Sequence, residues 1–184
     1  DKKLTGTVSL YNEYFGGGMS SIVFQTLRES RALAYSVSSG YREPGDRYKS
    51  FYNFAYIGSQ ADKLPEAMAG LTELLNEMPL SQPVFDAAKS SILKSLQTER
   101  VTKSGILFLR DRSKKLGYDY DRRKDVYTEV SNLSLADIKS FQEKTIKNRN
   151  YNIMVLGKHD NINFGALGRY GEVVELGMEN LFGY

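Results

Sequence analysis

Arg28 and Tyr35, separated by six residues, are the pair whose types and spacing could do chemistry here. They sit in the run Phe24-Gln-Thr-Leu-Arg-Glu-Ser-Arg-Ala-Leu-Ala-Tyr-Ser-Val, which reads as the last turn of a helix, a reversal and the start of a strand. The reversal lets both side chains converge on one spot. A guanidinium is charged at every working pH and grips carbonyl or carboxylate oxygens through a planar fork. A phenol, with an ordinary pKa of ~10, is a neutral donor at pH 7 that can stabilise an oxyanion. Plainer uses exist for both. An arginine at a helix C-terminus offsets the backbone dipole, and a tyrosine there can simply pack. On the residues alone the plainer uses lead.

Other candidates are weaker. His159, the single histidine, lies in the polar Gly-Lys-His-Asp-Asn loop and reads as a solvated group, and the chain has no cysteine. A thiolate metal site, a disulfide framework and a multi-histidine zinc site are therefore excluded within it. Gly16-Gly17-Gly18 ahead of a helix could cradle a phosphate. The P-loop lysine is absent, however, no strand precedes the glycines, and a tight helix–helix connection is the better reading. Arg110–Lys124 is rich in cations but interleaved with Asp111, Asp119 and Asp121, the pattern of a solvated face. Tyr48, Phe51, Tyr52, Phe54 and Tyr56 could stack bases, but they are expected on both faces of one strand, as core and rim.

The elements that must position the pair follow from periodicity. Residues 5–15 form a helix with Val8, Tyr11 and Phe15 on one stripe, stopped by the three glycines. Ser20 or Ser21 caps a second helix running to about Arg31. Residues 34–41 and 48–57 read as a hairpin across the turn residues Glu43-Pro44-Gly45-Asp46. Asp62 is expected to cap a helix with the stripe Leu64, Met68, Leu71, Leu75, Met78. Ser81 and Pro83 open another, with Phe85, Ala88, Ile92 and Leu96. Helices at 105–116 and 122–131 follow, then one opened by a capping box at Ser134–Asp137. Strands are expected at 151–156 and 172–176 and a short helix near 161–167. The order predicts an α+β fold, a mainly antiparallel sheet with several helices on one face, in a single domain over residues 1–184.

Composition agrees with a folded domain: 41% hydrophobic and 26% charged residues over 184 positions. The net charge of +3 is too small to argue for nucleic acid. No apolar run approaches the ~20 residues of a membrane span. The chain opens at Asp1 in polar sequence without an initiator Met, as a mature fragment would.

The run from Tyr14 to Val37 (YFGGGMSSIVFQTLRESRALAYSV) resembles the signature of the C-terminal half of insulinase/pitrilysin-type (inverzincin) zinc metallopeptidases, roughly L-G-G-G-x-S-S-R-L-F-x-x-L-R-E-x-R-G-L-A-Y-S-V. The resemblance implies one half of a clamshell closing around a peptide, extending over nearly the whole chain. Zinc is then bound by the N-terminal half, in an H-x-x-E-H motif that this chain lacks, and none by this chain. By motif position Tyr35 is implied as the donor to the tetrahedral oxyanion. Arg28 is implied to bind substrate main-chain oxygen, with Gly17, Gly18, Ser20 and Ser21 on the inner wall. The implied partners are the N-terminal catalytic half and a peptide, without nucleic acid, and the isolated chain is expected to be inactive. Bacterial relatives and the lack of cysteine incline the location to the periplasm or cell envelope. There are departures: Ile22-Val23 stands for the usual Arg-Leu, and Ala32 for a glycine, so a left-handed turn there would be costly. The family's first strand is expected to be missing. Two other readings remain: a non-catalytic scaffold subunit of the same family, and an RNA-binding module using the aromatic hairpin.

Overall fold

The computed structural model describes residues 4–183. Helix α1 (Thr5–Phe15) forms the centre of the core. Val8, Leu10, Tyr11, Tyr14 and Phe15 are all buried, a wide apolar face that is covered on several sides. It packs against α3 (Gln82–Thr98), α5 (Arg123–Asn132), α6 (Leu135–Thr145) and the first strand. Aromatic rings lock these contacts. Tyr11 stacks on Phe15 at 5.2 Å and leans on Phe141 of α6 at 5.0 Å, and Tyr14 meets Phe85 of α3 edge-on at 6.4 Å.

The fold is α+β. Its sheet has two antiparallel strands, β1 (Ser36–Arg42) and β2 (Tyr52–Gly58), with Ser36 opposite Gly58 and Arg42 opposite Tyr52. Val37, Tyr41, Ala55 and Ile57 face the core. Tyr52, Phe54 and Tyr56 share the solvent face, with the Arg42 guanidinium 4.9 Å from the Phe54 ring. The aromatics divide between core and rim as expected: Phe51, just ahead of β2, stacks on Tyr41 at 5.5 Å against the core, while the alternation of β2 puts Tyr52, Phe54 and Tyr56 together on the other face.

The free side of β1 is not left open. Asn12 of α1 acts as a neighbouring strand, its Oδ1 accepting from Tyr41 N–H at 2.7 Å and its Nδ2 donating to Tyr41 O at 3.0 Å. The Gly16 carbonyl accepts from Ser39 N–H at 3.3 Å.

Several boundaries differ from expectation. Ser134 and Asp137 form the capping box as read. Asp62 does not cap α2 (Leu64–Asn76); it lies in a 3-10 turn, Ala61–Lys63, that leads into it. The helix after the glycines is a π-helix from Phe24 to Ser30. Residues 151–156 and 172–176 are not strands. A β-prone segment becomes a strand only when a partner supplies its ladder. Residues 151–156 are tethered instead through a side chain: Tyr151 Oη donates to Ile146 O at 3.0 Å and accepts from Asn53 Nδ2 at 3.3 Å. Helix α4 (Lys103–Lys115), a 3-10 turn at His159–Asn161, and helices α7 (Phe164–Leu167) and α8 (Met178–Phe182) complete the elements, the last unforeseen. The expected lack of a first strand concerns sequence ahead of the described residues.

Candidate functional site

The π-helix sets where Arg28 points. Its widened turn closes with Arg31 N–H donating to Thr26 O at 3.0 Å. Such segments are rare and recur at functional sites. Leu27 is the side chain it buries, at 0% exposure. On its outer side Phe24 and Arg28, four residues apart, meet: Arg28 Cζ lies 4.7 Å from the Phe24 ring centroid. Helix α2 can approach closely because position 70 is glycine; a Cβ there would stand 2.9 Å from Leu27 Cδ2. The two helices are also pinned by Arg31, which donates to both carboxylate oxygens of Glu73 at 2.7 and 2.8 Å. That hydrogen bond lowers the Glu73 pKa below the ordinary carboxylate range and raises that of Arg31.

The chain then reverses. Ala32 has φ +48, the left-handed region, which for a residue with a Cβ costs roughly 1–2 kcal/mol. The turn therefore has the geometry that favours glycine, and the alanine adopts it at a cost. Hydrogen bonds on either side sustain it: Leu33 N–H to Leu27 O and Tyr35 N–H to Gly58 O, both at 2.8 Å, and Lys63 Nζ to Ala32 O at 3.1 Å. Tyr35 emerges at 85% exposure, its ring centroid 5.9 Å from Arg28 Cζ. The guanidinium thus has two aromatic neighbours, both within cation–π range. The two candidate groups stand together on the surface.

The glycine loop has a different job from a phosphate cradle. A Cβ at Gly16 would lie 2.2 Å from Ser39 O and 2.6 Å from Ser39 N, so only glycine permits this contact with β1. At Gly17 a Cβ would come within 2.7 Å of Asn12 O, whereas Gly18 faces open space. Gly17, Gly18 and Ser20 are exposed. Ser21 was expected on a peptide-facing wall but is 1% exposed. Its hydroxyl donates to Gly18 O at 2.6 Å and accepts from Phe24 N–H at 3.5 Å, so it holds the loop to the π-helix. Ser39 and Tyr35 are four residues apart along extended chain, about 13 Å at ~3.3 Å per residue.

Beside Tyr35 opens a cleft of about 240 Å³ lined by Ala32, Leu33, Ala34, Tyr35, Gln60 and Lys63. Lys63 and Gln60 come from the segment after β2, and nothing in the local sequence pattern joins them to Tyr35. Phe24 was also missed as a partner of Arg28, although its spacing of four was a visible signal.

Among the described residues no group of three or more His, Cys, Asp or Glu side chains could hold a metal ion. His159 faces Asp160 through Nδ1 at 3.6 Å and Glu175 through Nε2 at 3.2 Å. These contacts leave from opposite sides of the ring and share no centre, so the residues do not fit a zinc site. Among the described residues no helix is long and apolar enough to cross a membrane.

A family model described as the peptidase M16 inactive domain matches residues 1–92, half of the 184 positions. The chain belongs to the peptidase M16 inactive-domain family. Solved structures share the fold at low identity. A conserved protein from Enterococcus faecalis V583 superimposes with a TM-score of 0.63 at 14% identity, over 78% of this chain and 33% of that one. A peptidase M16 inactive domain from Pseudomonas fluorescens gives 0.61 at 20%, over 77% and 34%. A protease from Helicobacter pylori gives 0.61 at 18%, over 78% and 34%. The chain spans about a third of the length of these proteins. None of the curated proteins is matched by the sequence.

Proposed function

We propose that this chain is the substrate-binding half of an M16-type zinc peptidase, the half that does not hold the metal, and that Arg28 and Tyr35 face the bound peptide. The observation that carries the reading is their convergence: two groups placed by a strained reversal, one stacked on an aromatic ring and the other 85% exposed. Membership of the inactive-domain family supports the half-enzyme role, and the similarity to a structure described as a protease supports peptide chemistry. The catalytic half, on the same polypeptide or a separate subunit, supplies the metal and the attacking group.

In this reading Arg28 donates to main-chain carbonyl oxygens and fixes the register of the peptide. Phe24 restricts the guanidinium to one arc. The Tyr35 hydroxyl donates to the oxyanion that forms when the scissile carbonyl is attacked, a preorganised donor that needs no proton transfer. Gly17, Gly18 and Ser20 contribute exposed loop surface alongside.

In the full-length protein, Arg28→Ala is expected to weaken peptide binding at least tenfold, the scale of a hydrogen bond from a charged donor. Phe24→Leu is expected to weaken it two- to fivefold by freeing the guanidinium, the scale of an exposed cation–π contact. Isothermal titration with an inactivated catalytic half measures both. Unchanged affinity in Arg28→Ala would remove the arginine from the site.

A further inference from the structure

We infer that the cleft next to Tyr35 receives a carboxylate side chain of the bound peptide, with Lys63 as the cation that selects it. The inference rests on the peptide-binding reading of Arg28 and Tyr35 and adds a substrate preference to it.

The cleft has the right chemistry for a short aliphatic stem ending in an anion. Ala32, Leu33 and Ala34 give it apolar walls, while Lys63, Gln60 and the Tyr35 phenol supply polar groups. None of the lining residues is acidic. At about 240 Å³ it admits several water-sized groups, enough for one acidic side chain.

The two arginines nearest the cleft already have carboxylate neighbours, and Lys63 is the cation in its lining. Arg28 has Glu29 beside it at 3.7 Å, and Arg31 is held by Glu73 at 2.7 Å. Among the described residues Lys63 makes no ion pair; its ammonium donates to the Ala32 carbonyl at 3.1 Å. An ammonium has three donors, so two remain for a ligand. The bond to Ala32 also fixes the ammonium at the mouth of the turn that presents Tyr35. Tyr35 joins the two groups: it lines the cleft with Lys63 and its ring centroid is 5.9 Å from Arg28 Cζ. Phosphate and nucleic acid fit less well. One ammonium among apolar walls offers neither a row of cations nor a backbone N–H cradle.

The test uses the full-length protein with its catalytic half inactivated. Fluorescence anisotropy compares labelled peptides that differ only by Glu or Gln, with the substitution moved along the sequence. At one position Glu is expected to bind about tenfold more tightly than Gln. Lys63→Met should abolish that difference, and Lys63→Arg should preserve it. Arg28→Ala is read in parallel and should weaken both peptides equally. Loss of the Glu preference in Lys63→Met with no effect of Arg28→Ala would keep the cleft and discard the arginine's role. Absence of any position with a Glu preference, or a preference that survives Lys63→Met, overturns the inference, as does failure of every peptide to bind. Inorganic phosphate binding that is lost in Lys63→Met would overturn it in favour of a phosphate site.

Discussion

Two glycines of one loop make a sharp test of how the loop supports the site. At Gly16 a Cβ would stand 2.2 Å from Ser39 O, 2.6 Å from Ser39 N and 2.7 Å from Ser39 C, all backbone atoms of β1 that have no rotamer to yield. Forcing extra volume into a packed contact costs roughly 1–3 kcal/mol, and the hydrogen bond from Ser39 N–H to Gly16 O, worth about 1 kcal/mol, would be lost with it. Gly16→Ala should therefore destabilise by about 2–4 kcal/mol, a fall in Tm of roughly 4–16 °C for a chain of this size. At Gly18 a Cβ meets nothing within 4 Å, and no left-handed φ is required. Gly18→Ala should be neutral, or stabilise by up to about 1 kcal/mol by restricting the unfolded chain. Urea titration of the two variants, side by side, gives the comparison. Equal midpoints would refute the close contact between the loop and β1, and with it the explanation of why the loop needs glycine.

Other outcomes follow from the core and the caps. Tyr11 carries a buried hydroxyl without a hydrogen-bond partner, and burial, helped by the nearby Tyr151, pushes its pKa far above the ordinary phenol value. Tyr11→Phe should raise the urea midpoint, by about 1 kcal/mol in stability. The Asp137 carboxyl is held below its usual range by the Ser134 hydroxyl and backbone N–H. A lowered folded pKa contributes stability that is present above the unfolded value of ~3.9 and is lost as pH falls through the folded one. Ser134→Ala should cost about 1 kcal/mol at pH 7 and a smaller amount at pH 2–3, read from thermal melts at both.

Much of the framework was legible because it is local. The apolar stripe of α1, the capping box at Ser134, and the alternation around Val37 and Ile57 each announce an element from residues a few positions apart. Arg28 and Tyr35 were legible as a pair for the same reason: one reversal separates them. What failed is what local pattern cannot carry. A π-helix and an α-helix bury the same Leu27 and differ in a register that local pattern does not encode. Residues 151–156 have every β-propensity but no ladder partner among the described residues. Ser21 reads as a polar wall residue, yet its hydroxyl is consumed by Gly18 O and Phe24 N–H. Lys63 reaches the turn through a bond to a carbonyl 31 positions away, a contact without sequence periodicity.

The central claim, that the Tyr35 hydroxyl serves the reaction rather than the fold, is tested most directly by Tyr35→Phe in the complete enzyme. A side chain 85% exposed contributes little to stability, so Tm should stay within about 2 °C. Loss of one oxyanion donor should lower kcat roughly 100- to 1000-fold on a peptide substrate. Wild-type kcat in a variant that folds normally would contradict the account.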